Sequence, residues 1–179
     1  MKKLIALIIF TIIAHTYSSA QTDTIKLSEM NKGPRIVTDR APQAVYFQLG
    51  GSGPYLSANY DRRFGKRLDG AGFAVGIGYF GDSYESYFSI PVSINYLIGR
   101  KTHFVEMAGG ATFMSETYED WYGSGENYTD NYMIYHLNLG YRHQPATGGF
   151  FLRGGFSPLF FQNDEGFVMS FYLGFGYNF

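Results

Sequence analysis

Phe167-Val168-Met169-Ser170-Phe171-Tyr172-Leu173-Gly174-Phe175-Gly176-Tyr177-Asn178-Phe179 ends the chain, and its reading decides the fold. Bulky apolar residues stand at Met169, Phe171, Leu173, Phe175 and Tyr177, while Ser170, Tyr172, Gly174, Gly176 and Asn178 between them are polar or small. A period of two is the mark of a strand with two unlike faces. Working back from this segment, the same texture recurs over residues 149 to 161, 130 to 142, 102 to 114, 87 to 98, 71 to 81, 54 to 64 and 43 to 51. Eight such runs leave almost nothing for helix.

Composition agrees. The 179 residues are 45% hydrophobic, 19% aromatic and 16% charged, with 23 glycines, no cysteine and a formal charge of −1. That length bounds one domain. The absence of cysteine excludes disulfides, thiol catalysis and a lipidated N-terminal cysteine, and the near-zero charge argues against nucleic acid as a partner.

Lys2 and Lys3 precede an apolar stretch from Leu4 to Ala14, and Ser18-Ser19-Ala20 offers small residues for cleavage, so residues 1 to 20 read as a secretory signal peptide. That stretch is too short for a transmembrane helix, which needs about 20 apolar residues. Its removal takes away Lys2 and Lys3 alone among charged groups and moves the formal charge from −1 to −3. Residues 21 to 42, polar and aperiodic, read as a flexible periplasmic lead-in, and residues 43 to 179 as the folded domain.

The two faces decide where this domain lives. One carries Phe47, Ile77, Ile94, Leu137, Leu139, Phe171 and their like without a charge along its middle; the other is polar or small and holds Asp61, Arg63, Glu106, Arg142 and Arg153. So large an apolar face is not stable in water, and charges line an oily ligand cavity only at high cost, so the apolar face must meet lipid. In a bilayer every backbone polar group is paired internally, which strands achieve only by closing on themselves. The expectation is an all-β, eight-stranded antiparallel up-and-down transmembrane β-barrel.

With the N-terminus periplasmic, the short turns Gly65 to Gly70, Gly99 to Thr102 and His143 to Gly148 carry Lys66, Arg67, Arg100 and Lys101 against Asp69. The outer connections, including a long one from Ser115 to Thr129, carry only acids among charged residues. Tyr79, Tyr87, Phe113, Tyr132, Phe160 and Phe167 would girdle the outer interface, and Phe64, Tyr96, Tyr141, Tyr177 and Phe179 the inner one.

On these residues the chain resembles the small eight-stranded outer-membrane β-barrels of Gram-negative bacteria, over residues 43 to 179. The final aromatic of Phe171 to Phe179, with apolar residues at alternate positions before it, resembles the signal read by their assembly machinery, carried here by Phe175, Tyr177 and Phe179. The resemblance implies outer-membrane localisation, a monomeric barrel, and lipid, lipopolysaccharide and the barrel-assembly machinery as partners.

Eight strands leave an interior only just wide enough for side chains to fill. Asp61, Arg63, Glu106, Arg142 and Arg153 fall in its periplasmic half and are expected to form a paired plug. Gly76, Gly78, Gly110, Thr112, Gly155 and Ser157 are expected to leave at most a shallow cup open to the exterior. A lipid A deacylase-like barrel would need His-x-Ser on its lipid face, and His136-Leu137-Asn138 has Asn there and faces the lumen; His103 and His143 lie at the periplasmic strand ends. No catalytic, cofactor or metal residues are therefore assigned. Gly76-Ile77-Gly78-Tyr79-Phe80-Gly81 imitates a dinucleotide-binding glycine motif without the helix such a site needs. Tyr118, Glu119, Asp120, Trp121 and Tyr122, in the long acidic outer loop, are the candidate surface contacts, with divalent cations as one class of ligand. The expected function is a structural or cell-surface interaction barrel without catalysis; the alternatives are a narrow or gated small-solute channel and a lipid A-modifying barrel enzyme.

Overall fold

The computed structural model describes residues 35–82, 85–119, 127–162 and 166–179. The expected signal peptide, the lead-in as far as residue 34, and Asp120, Trp121 and Tyr122 lie outside the described residues, as does the side chain of Glu119. Among the described residues there is no helix. The strands are β1 Gln43–Gly50, β2 Leu56–Arg63, β3 Gly70–Gly81, β4 Glu85–Arg100, β5 His103–Glu119, β6 Asn127–His143, β7 Gly149–Phe161 and β8 Phe167–Asn178. Each pairs antiparallel with its chain neighbours, and β1 pairs with β8 from Ala44↔Asn178 to Gly50↔Tyr172, so the sheet closes into a barrel.

The period of two fixes which way each side chain points. Phe47, Ile77, Ile94, Leu137, Leu139, Phe171 and Leu173 are half or more exposed on the outside, whereas Asp61, Arg63, Glu106, Arg142 and Arg153 are buried within. An apolar exterior around a charged interior is the inverse of a water-soluble barrel and matches a hydrocarbon surrounding. The molecule is a transmembrane β-barrel.

Two interruptions in the hydrogen-bonded pairing have one cause. The β3–β4 register skips Gly76 and Ile77 opposite Pro91 and Ile90, and the β6–β7 register skips Leu137 and Asn138 opposite Pro158 and Ser157. Proline has no amide proton to donate, so each ladder loses a rung where a closed wall has no edge to put it on.

The strands are unequal, and here the structure corrects the sequence reading. Strand pairing continues into both ends of the region expected to be the loop from Ser115 to Thr129, and β5 and β6 pair as far as Glu119↔Asn127. Tyr118 and Glu119 are therefore strand residues. At about 3.3 Å per residue and a tilt of about 40°, the 17 residues of β5 or β6 rise about 43 Å along the barrel axis, against an apolar band of about 25 Å. β4, β5 and β6 thus project well past the rim at the end bearing the β1–β2, β3–β4, β5–β6 and β7–β8 connections, the loop end.

At the opposite, turn end, the last residues of the 21–42 lead-in run against the barrel. Val37 bridges to Arg67, the Thr38 amide donates to Lys66 O at 2.8 Å, and Ile36 packs on a cluster of Leu68, Leu97 and Phe104. This apolar cap closes the lumen at its turn end.

Candidate functional site

The interior is built from residues far apart in sequence. Asp61 on β2 accepts two hydrogen bonds from Arg63 Nη2 at 2.9 and 3.0 Å, two from the Arg142 guanidinium at 2.7 and 3.0 Å, and one from Asn95 Nδ2 at 2.6 Å. Arg63 also donates to the Asn95 side chain and to Gly70 O at 3.1 Å. Arg142 donates through Nε to Gln144 Oε1 at 2.9 Å and lies 3.5 Å from Glu106 Oε1; Arg153 lies 3.3 Å from the same oxygen. All five charged side chains expected to share the lumen are brought together, at 0–2% exposure. Burial of a charge is tolerable only with such partners.

Aromatic rings complete the plug. The Arg142 guanidinium lies 4.6 Å from the centroid of Phe151, and Arg153 sits 5.1 Å from Tyr46 and 4.9 Å from Tyr172, donating to the Tyr46 hydroxyl at 2.5 Å. Glycines make the room: Arg63 faces Gly72 and Arg153 faces Gly174 across their strand pairs, and a Cβ at Gly174 would stand 2.9 Å from Arg153 Cγ. The arginine stems cross the sheet where a neighbour has no side chain.

Above this plug the structure differs from the expected cup. Gly50 and Gly51, both at φ 69°, turn the β1–β2 connection inward, a conformation glycine adopts without strain. Ser52 then sits inside the lumen, its carbonyl accepting from Thr112 Oγ1 at 2.5 Å and its hydroxyl from Gln48 Nε2 at 3.1 Å. Met114, Ile134 and Leu159 form a buried apolar layer, with Tyr87, Tyr132 and Phe161 packed on it. Tyr87 and Tyr132 are therefore lid residues, not part of the outer girdle. The lining is not polar throughout, because apolar layers close it at both ends. His136 is buried in this closed lumen, its Nδ1 3.4 Å from Thr112 Oγ1.

Beyond the lid, the concave side of the projecting β4–β5–β6 sheet is acidic and aromatic. Tyr118 and Tyr132 donate to the Glu116 carboxylate, and Tyr87 donates to Glu85 Oε2 at 2.7 Å. Glu116, Asp130, Asn131, Tyr132, Phe161 and Gln162 line a notch of about 380 Å³ where β7 leaves β6. The last β6–β7 pair is Ile134↔Phe161, so among the described pairings Thr129–Met133 of β6 is bonded on its β5 side only. At the turn end the charge reverses, with Arg35, Arg40, Arg62, Lys66, Arg67, Arg100 and Lys101 against Asp39 and Asp69. The hydrogen bond from Arg67, together with its charge and that of Arg35, holds the Asp69 carboxyl below the usual carboxylate range.

Fold and lumen together define the class, an eight-stranded β-barrel of outer-membrane type with a filled interior. Among solved structures the chain is similar to the N-terminal β-barrel domain of Pseudomonas aeruginosa OprF, with a TM-score of 0.56 and 13% identity over 80% of this chain and 100% of that one. It is also similar to Ail of Yersinia pestis, with a TM-score of 0.46, 16% identity and coverage of 78% and 97%. For the neisserial surface protein NspA the values are 0.46, 14%, 77% and 92%. The first of these likenesses bears out the fold. No protein-family model and no curated protein matches the sequence.

The layers that close the lumen were missed by sequence reasoning, though a signal was present. Tyr96-Leu97-Ile98, Phe113-Met114 and Met133-Ile134-Tyr135 place apolar residues on both faces at once, the first near the turn end of β4 and the other two well inside β5 and β6.

Proposed function

We propose that this barrel is a monomeric cell-surface interaction protein of a Gram-negative outer membrane, delivered by a cleaved signal peptide and inserted by the barrel-assembly machinery through Phe175, Tyr177 and Phe179. The loop end faces outward among lipopolysaccharide, and the turn end faces the periplasm. The single observation that carries this reading is a sealed lumen beneath a projecting sheet. Ser52 and the Met114–Ile134–Leu159 layer close the interior, while β4, β5 and β6 extend past the rim with a carboxylate-rich concave side. A strand with one free side accepts an extended peptide by β-addition, and carboxylates select a basic one. Burial of His136 beneath the same layers supports a role without catalysis.

Two measurements on the refolded full chain test the proposal. In planar bilayers it stays silent; steady discrete current steps would favour the narrow-channel alternative. A fluorescent extended peptide of alternating Lys and Val binds saturably, and Asn131→Pro, which breaks the free side of β6, weakens it about tenfold. Equal binding by that variant would count against the projecting sheet as the contact surface.

A further inference from the structure

Outside both regions, at the turn end of the β5–β6 pair, two imidazoles stand side by side. His103 opens β5 and His143 closes β6, and they are direct register partners. The Gln144 amide donates to Thr102 O at 2.8 Å, so Thr102 and Gln144 form the hydrogen-bonded pair and the adjacent His103 and His143 the non-hydrogen-bonded one. Side chains come closest at such positions, with Cα atoms about 4.5 Å apart. Both residues have outward parity, opposite to buried Phe104 and Arg142. Their ring centroids are 5.2 Å apart.

That separation suits chelation. Imidazole nitrogen binds zinc-like ions at about 2.0–2.1 Å, and with the ring centre about 1.1 Å further out, two imidazoles on one tetrahedral centre have centroids about 5 Å apart. The second requirement of a histidine ligand is an outer partner that fixes the ring and its tautomer. His103 Nδ1 shares a 2.5 Å hydrogen bond with the Tyr141 hydroxyl, which leaves Nε2 as the outward nitrogen. Among the described residues no group of three or more His, Cys, Asp or Glu side chains is placed to hold a metal, so any ion here keeps water in its remaining positions.

We propose that His103 and His143 form a two-histidine site for an imidazole-preferring divalent ion of the copper, nickel or zinc kind, with Tyr141 as its positioning residue. The site is independent of the peptide-binding surface and of the direction in which the barrel faces. Arg100, opposite His103 in the β4–β5 pairing, and Lys101 in the adjoining turn place positive charge beside the site, which weakens binding of a dication. Added salt screens that repulsion, so binding to this site tightens with ionic strength.

Copper(II) chloride titrated into the untagged full chain in detergent is the test. One ion binds, its paramagnetic resonance spectrum carries splitting from two nitrogens, and a large excess of zinc displaces it. His103→Ala and His143→Ala each cost at least about tenfold in affinity, and Tyr141→Phe costs about tenfold while keeping both nitrogens. Heat-modifiable gel mobility establishes that each variant is a folded barrel; all three changes are on the outer surface. Copper binding unchanged in the double alanine variant, or weakened by salt in the wild type, would overturn the proposal.

Discussion

On its own face of β2 Asp61 has no charged neighbour except Arg63, yet it holds two guanidiniums at once, because barrel closure brings Arg142 across the lumen to 2.7 Å. Replacing it with alanine leaves two buried arginines short of a counter-charge, a loss of about 3–5 kcal/mol. In urea unfolding from lipid bilayers, Asp61→Ala therefore moves the midpoint far more than Asp69→Ala. The latter removes pairs with the partly exposed Arg35 and Arg67, worth less than about 1 kcal/mol. Because the Asp69 carboxyl lies below its ordinary range in the folded state, its small contribution is complete at neutral pH. It fades as pH falls below the unfolded value of about 3.9. That the lumen carries charge was legible from parity alone. Which charge meets which was not, because Asp61 and Arg142 are brought together by eight-strand closure, a distance no local pattern encodes.

At the scale of a strand, the alternation of β8 did its sorting correctly, since a shift of one residue would turn Phe171 and Phe175 inward and Tyr172 outward, whereas Tyr87 of β4 and Tyr132 of β6, expected in the outer girdle, pack inward on the lid. Strand ends were less legible. β5 runs to Glu119 because Thr117 and Tyr118 still pair with Thr129 and Tyr128, although acidic residues there resemble a loop by composition. Closure itself depends on Gly176, where a Cβ would fall 2.5 Å from Tyr46 Cα and against Val45 O of β1. Gly176→Val is expected to abolish the compact, heat-modifiable form on a gel, because β1 cannot then approach β8. A variant that migrates as compactly as the wild type would show that the seam tolerates a side chain.

For the whole molecule, the same sequence places carboxylates at one end, cations at the other, apolar residues around the waist and a charged network within. Each of these distributions makes sense only with lipid outside the barrel wall. Oxygen dissolves in hydrocarbon and a nickel chelate stays in water, so their collisions with a nitroxide distinguish the two surroundings. The native chain has no cysteine, which allows single labels at Leu137→Cys on the outer waist and Thr129→Cys on the projecting sheet. In bilayers the label at 137 is predicted to collide mainly with oxygen and the label at 129 mainly with the nickel chelate. A label at 137 that meets the chelate as readily as one at 129 would contradict the lipid-facing exterior on which the account rests.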